Sequence, residues 1–224
     1  MQDPFLLRRE IAAELFIVRH ADAIPDADEI IPSGIYDDLP LSRRGREQAQ
    51  ALAERLGETP FDAIYSSPLL RCRQTAAPLA ERLGLTPTLI DALREVRLGN
   101  IDALPQDTND LAALTEALQK RQTDIVRLAG EAGNWDMIPD SEPSKAFRRR
   151  VVEACDGIAQ QHIGQRVLIF AHGGVVNAYA AETLGLEREF FFPAANTAIT
   201  VMRVAGKQRV LFTLNDVGHL IKRV

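Results

Sequence analysis

The chain has 224 residues, 46% of them hydrophobic, with 26 basic and 31 acidic side chains and a formal net charge of −5. That length suffices for one domain with a full hydrophobic core, while the acidic balance offers no attraction to nucleic acid or anionic lipid. The two cysteines, Cys72 and Cys155, fit neither a disulfide framework nor a zinc-site spacing, so both read as free thiols of a reducing compartment.

The N-terminal stretch MQDPFLLRREIAAELFIV scatters Asp3, Arg8, Arg9, Glu10 and Glu14 among its apolar residues. It contains neither a signal-peptide core nor a membrane span, and cytoplasmic residence is the expectation. Leu15 to Val18 is a short apolar run with β-branched residues that stops at Arg19 and His20, as a buried strand would. Ala21 to Pro40 is rich in proline and aspartate without periodicity and predicts a long surface loop.

Ser42 fits a helix N-cap, followed by Ala49, Leu52, Ala53 and Leu56 at helical spacing and Gly57 as the stop. Phe61 to Tyr65 predicts the second strand. Pro68 suits a first helical turn, and Leu69, Thr75, Ala76, Leu79, Ala80 and Leu83 continue that helix to Gly84. After a brief extended stretch at Thr88 to Ile90, strand signals vanish between about Asp102 and Glu142. There LAALTEALQKRQTDIVRLAG is helical in period and AGNWDMIPDSEP reads as a loop. A helix over Phe147 to Ile158, a strand over Val167 to Phe170 and a helix over Val175 to Leu184 follow, then strands near Ile199 to Val204 and Val210 to Leu214.

Alternating strands and helices, with strands apolar on both faces, predict an α/β fold. The expected form is a three-layer α/β/α sandwich with a mainly parallel sheet. Residues 1–224 are read as a single domain with an inserted helical cap at about 102–142. Ligands of such folds bind beyond the carboxyl ends of the strands.

Arg19 and His20 end the first strand, Arg71 begins the helix after the second, Glu95 follows the third, and His172 ends the fourth. Together these groups can bind and transfer a phosphoryl group. A guanidinium is always charged, and its planar fork matches two phosphate oxygens. A neutral imidazole is a competent nucleophile, and Arg19 and Arg71 should hold His20 neutral by like-charge repulsion. Glu95 fits a general acid, given a raised pKa. His172, followed by Gly173 and Gly174 at a helix start, fits a donor to phosphoryl oxygens.

These segments resemble the histidine phosphatase superfamily of phosphoglycerate mutases and broad-specificity phosphatases. LFIVRHA is similar to its Arg-His-Gly signature, SSPLLRCRQTA to its Ser-Ser-x-x-x-Arg-x-x-x-Thr-Ala segment, ALREVRLGN to its acid loop and VLIFAHGGV to its second-histidine motif. DLPLSRRGREQA and LNDVGHL resemble family segments that serve structure more than chemistry. The resemblance implies His20 as nucleophile, Glu95 as proton donor and Arg19, Arg71 and His172 as the phosphate pocket. It also implies a small phosphorylated substrate or phosphate ion as partner, with no cofactor or metal.

Ala21 stands where the family usually has Gly, the mutase-type Trp and Asn residues are missing from the loop to Tyr36, and GNIDAL lacks the family's aromatic. These departures favour hydrolysis over mutase-type transfer. A phosphoglycerate mutase-type phosphotransferase and an inactive binding or regulatory member stay open as alternatives, as does the oligomeric state.

Other residues carry blander readings. Arg73 is the fallback for Arg71, and Asp91 and Asp102 are rivals of Glu95. Arg148 to Arg150 reads as a solvated helix face, Trp135 as cap packing, and His162 and His219 as structural. Cys72 between two arginines invites a cysteine-phosphatase reading, but the glycine-rich loop that chemistry needs is missing. The sequence has neither a paired-histidine metal motif nor a P-loop.

Overall fold

A computed structural model describes residues 8–26, 28–29, 38–99 and 111–221. In chain order the elements are β1 (Ala13–Arg19), α1 (Arg43–Leu56), β2 (Ala63–Ser66), α2 (Leu70–Leu83), β3 (Thr88–Leu89), α3 (Leu111–Ala132), α4 (Ser144–Gln161), β4 (Arg166–Ala171), α5 (Gly173–Leu184), β5 (Ile199–Ala205) and β6 (Gln208–Asp216). The six strands form one sheet in the order β3-β2-β4-β1-β5-β6. β1, β2, β3 and β4 pair in parallel, whereas β5 runs antiparallel to both β1 and β6. The expected α/β fold with a mainly parallel sheet is therefore present, extended by an antiparallel edge. Two-residue hairpin loops need a positive φ, and Gly206 supplies it (φ 59) between the paired Ala205 and Gln208.

Burial explains the continuous apolar runs. Leu15, Ile17, Val167 and Ile169 face a core shared with Phe147, Val151 and Cys155 of α4 and Val175 and Tyr179 of α5. The intervening Val18, Leu168 and Phe170 face the opposite core, built with Leu52 and Leu56 of α1 and Ala76 and Leu79 of α2. A strand buried on both faces has no polar positions to alternate with.

The topology creates the site. From β1 the chain enters α1 on one face, and from β4 it enters α5 on the other, although β1 and β4 are neighbours. That divergence is a switch point, where a crevice opens beyond the strand ends. The parallel register pairs Arg19 with Ala171, so His20 and His172, the next residues, leave the sheet side by side.

Gly57 and Gly84 end α1 and α2 as expected, Gly57 in a right-handed conformation (φ −65) and Gly84, like Gly185 after α5, in the left-handed one (φ 65 and 66). Other local expectations need correction. Pro68 lies outside α2, which starts at Leu70, whose N–H donates to the Asp38 carboxylate, 32 residues upstream, at 2.6 Å. Of the segment expected as a cap, residues 102–110 lie outside the described ones, and α3 occupies 22 residues of the remainder. No described helix is long and apolar enough to cross a membrane.

Candidate active site

His20 continues the β1 ladder by one rung, its N–H donating to Ala171 O at 2.9 Å. Its carbonyl accepts from Asn196 Nδ2 at 3.0 Å, and the next amide, Ala21 N–H, donates to Thr75 Oγ1 at 2.9 Å. The backbone around the imidazole is thus fixed from three sides. In the ring, Nδ1 lies 2.7 Å from Ala21 O. A carbonyl only accepts, so Nδ1 carries the proton and Nε2 keeps its lone pair. From the sequence, Arg19 and Arg71 are expected to depress this histidine. In the structure burial is the larger cause, with Arg71 and Arg19 adding to it, and the pKa lies well below 6.5. The His172 ring stands 5.2 Å away, centroid to centroid.

Ala21 imposes no backbone strain, since it is not among the described non-glycine residues with positive φ. Its methyl group is fully buried with Leu41 and Ala49.

Arg19 donates from one terminal nitrogen to Ala194 O. Its Nε is buried without a hydrogen-bond partner, beside Gly173. Arg71 sits in the first turn of α2, and its charge acts on His20, His172, Glu95 and Cys72. Arg73 points to solvent. That contrast decides between the two arginines, which spacing alone does not.

His172 is fully buried at the N-cap of α5. Its Nε2 lies 2.8 Å from Ser67 Oγ and 3.4 Å from Cys72 Sγ, and burial followed by the Arg71 charge holds its pKa well below 6.5. Burial pushes the Cys72 thiol up to about 12, despite Arg71 nearby. A thiol so seldom ionised is a poor nucleophile at neutral pH, so the cysteine-phosphatase reading fails here.

Glu95 follows a short 3-10 turn at Asp91–Leu93 and extends its carboxylate toward α5. One oxygen accepts from Val96 N at 3.0 Å and the other from Gly174 N at 3.1 Å. Burial raises its pKa above the usual 4.5, although those amides and the charges of Arg71 and Arg19 pull the other way. Glycine at 174 leaves room for this carboxylate: a Cβ there would lie 2.3 Å from Glu95 Oε1 and force it aside. Of Glu95's rivals, Asp91 is exposed and paired with Arg94, and Asp102 lies outside the described residues.

All five residues singled out from the sequence therefore meet at the β1/β4 crevice. Residues given no role in that reading also stand there: Ser67 beside His172, and Thr75 and Asn196 on the backbone around His20. The Arg148–Arg150 run is not a solvated face. Arg149 is exposed, but Arg148 pairs with buried Glu189 at 2.8 Å, and Arg150 bonds to Glu142 and to the backbone around Glu95. His162 bonds Tyr65, His219 bonds Thr197, and Trp135 packs on Phe190, all as packing residues.

Known proteins share this architecture and sequence. Phosphoglycerate mutase-like protein 4 of Arabidopsis thaliana is 30% identical over 213 residues, 93% of this chain and 87% of the relative. A metal-independent phosphoserine phosphatase of the same plant is 28% identical over 213 residues, 92% of this chain and 83% of the relative. The native structure of a mycobacterial glucosyl-3-phosphoglycerate phosphatase matches with a TM-score of 0.67 at 26% identity, covering 91% of this chain and 99% of that one. The family model of the histidine phosphatase superfamily (branch 1) matches residues 15–217, and the chain belongs to that superfamily.

Proposed function

We propose that this histidine phosphatase hydrolyses small phosphomonoesters without a metal ion, through a covalent phosphohistidine on His20. The observation that carries the proposal is the buried, uncompensated positive charge beside the nucleophile. Among the described residues neither Arg19 nor Arg71 forms an ion pair, and Arg19 Nε is buried without a partner. A buried guanidinium donor left unpaired is costly, and a phosphoryl group with acceptor oxygens relieves that cost.

The Nε2 lone pair of His20 attacks phosphorus in line, the ester P–O bond breaks, and Glu95 gives its proton to the departing oxygen. Water then attacks the phosphohistidine. Its proton returns to Glu95, the N–P bond breaks, and inorganic phosphate leaves. Arg19, Arg71 and His172 bear the equatorial charge in both steps. The 2.8 Å contact of its Nε2 with the Ser67 hydroxyl holds the His172 ring in place beside His20. The raised pKa of Glu95 suits the protonated start and the depressed pKa of His20 suits the neutral one.

Residues 1–224 are taken as one domain with an inserted helical cap at about 102–142, of which the described α3 packs Ile125, Val126 and Ala129 against the core shared with α4 and α5. Relatives named for phosphoserine and glucosyl-3-phosphoglycerate make such carboxylate-bearing monoesters the first substrates to test. The deciding experiment measures p-nitrophenyl phosphate hydrolysis by the wild type and His20→Ala, with and without a chelator. Chelator-resistant turnover that His20→Ala abolishes supports the proposal, and activity surviving the substitution overturns it.

A further inference from the structure

Arg150 lies on α4, outside the constellation of phosphate-binding groups, yet three of its five donors go to the backbone of the segment that carries Glu95 and the other two to Glu142. One terminal nitrogen donates to Ala92 O and Arg94 O, each at 2.9 Å. The other donates to Glu95 O at 3.1 Å and Glu142 Oε2 at 2.7 Å, and Nε donates to Glu142 Oε1 at 2.7 Å. A guanidinium has five N–H groups, and every one is used. The guanidinium also stacks over Phe147, 4.7 Å from the ring centroid.

Glu142 completes the brace. It takes Arg150 in a two-pronged pair, accepts the Arg97 N–H at 3.3 Å and donates its own N–H to Arg97 O at 2.7 Å. Burial by itself would raise the Glu142 carboxyl, but its bonds and charge contact with Arg150 hold it below the ordinary range, so the pair stays ionised. The backbone of residues 92, 94, 95 and 97 is thereby tied to one guanidinium–carboxylate unit. Residues 95–99 belong to no helix or strand and have no ladder to hold them. At the far end of the same side chain, Val96 N and Gly174 N fix the Glu95 carboxylate.

We infer that Arg150, braced by Glu142, is a positioning residue that aims the Glu95 carboxyl at the leaving oxygen. This rests on the proposed role of Glu95 as proton donor. Lysine cannot replace it, because three donors on one nitrogen cannot span three carbonyls and a carboxylate. Acid assistance matters little for a leaving group as stable as p-nitrophenolate and much for phenolate or an alkoxide. A displaced Glu95 therefore selects against poor leaving groups, whereas a general loss of structure does not.

The test compares kcat/KM for p-nitrophenyl phosphate, phenyl phosphate and β-glycerophosphate in the full-length wild type, Glu95→Gln, Arg150→Lys, Arg150→Met and Glu142→Gln, with pH profiles. We expect Arg150→Lys and Glu142→Gln to lose about 30- to 100-fold on phenyl phosphate and β-glycerophosphate, and less than about 5-fold on p-nitrophenyl phosphate. The alkaline limb of the pH profile moves with that loss. Equal losses on all three substrates with an unmoved limb would overturn the positioning role, while Glu95→Gln still discriminates among them. If Glu95→Gln itself shows no leaving-group dependence, the proton-donor reading falls and the inference falls with it. Should Arg150→Met fail to fold, the two milder variants decide.

Discussion

Replacing Gly174 by alanine perturbs the proton donor without removing any charged or polar side chain. The added Cβ would lie 2.3 Å from Glu95 Oε1, 3.2 Å from its carboxyl carbon and 3.3 Å from Phe147 Cε1. Relief to ordinary contact requires a shift of about 1 Å. The backbone of α5 is poorly placed to supply it, because Val176 N is bonded to His172 O at 3.1 Å and the helix lies in the core. The Glu95 main chain is held by Arg150, so its carboxylate must swing away and give up the 3.1 Å bond from Gly174 N. A displacement of that size at a reacting group costs about 100-fold in rate. Alanine is the better helix former by roughly 1 kcal/mol, which offsets part of the strain and limits any loss of stability. The assay is kcat/KM on phenyl phosphate, beside a thermal melt. A variant that folds normally and keeps activity within threefold of wild type would refute the view that Glu95 works from this seat.

The pH dependence follows from the same groups. The depressed pKa of His20 keeps the nucleophile neutral well below pH 6.5, and the raised pKa of Glu95 means that activity falls as pH rises through that value. The alkaline limb measured on phenyl phosphate should disappear in Glu95→Gln, and its persistence would assign it to another group. Arg148→Ala should destabilise the fold by about 3 kcal/mol, or roughly 10 °C in melting temperature, because it leaves Glu189, only 5% exposed, without its cation. Replacing both partners by apolar residues should recover most of that loss, and a single variant melting with the wild type would contradict it. Ala21→Gly should cost about 1 kcal/mol through lost methyl burial and added chain freedom, with activity unchanged. A severalfold rise in turnover would mean that alanine constrains the loop after all.

What was legible in the sequence depended on how local its cause is. The β1 and β4 runs announced themselves because both faces of each strand are buried, and the residues where those runs stop are the residues of the site. Arg71 could be chosen over Arg73 only by motif spacing, since the deciding fact is which flank of α2 meets the crevice. Periodicity did carry a signal for Arg150. Phe147, Val151 and Cys155 mark the buried stripe of α4, and Arg148 and Arg150 lie at its borders, with Arg149 facing away. What those borders touch is set by distant chain, about forty residues downstream for Arg148 and more than fifty upstream for Arg150, which no local pattern encodes. The start of α2 past Pro68 is hidden for a like reason, since the acceptor for its first N–H is Asp38, in a loop without periodicity.

The covalent intermediate is the central claim, and rapid-quench labelling with a 32P-phosphomonoester tests it most directly. In the first turnover, label should appear on the protein in an acid-labile, alkali-stable form, map to the peptide containing His20, decay at the rate of phosphate release and be missing from His20→Ala. Complete turnover with no labelled protein at any quench time, or label that persists in His20→Ala, would contradict it.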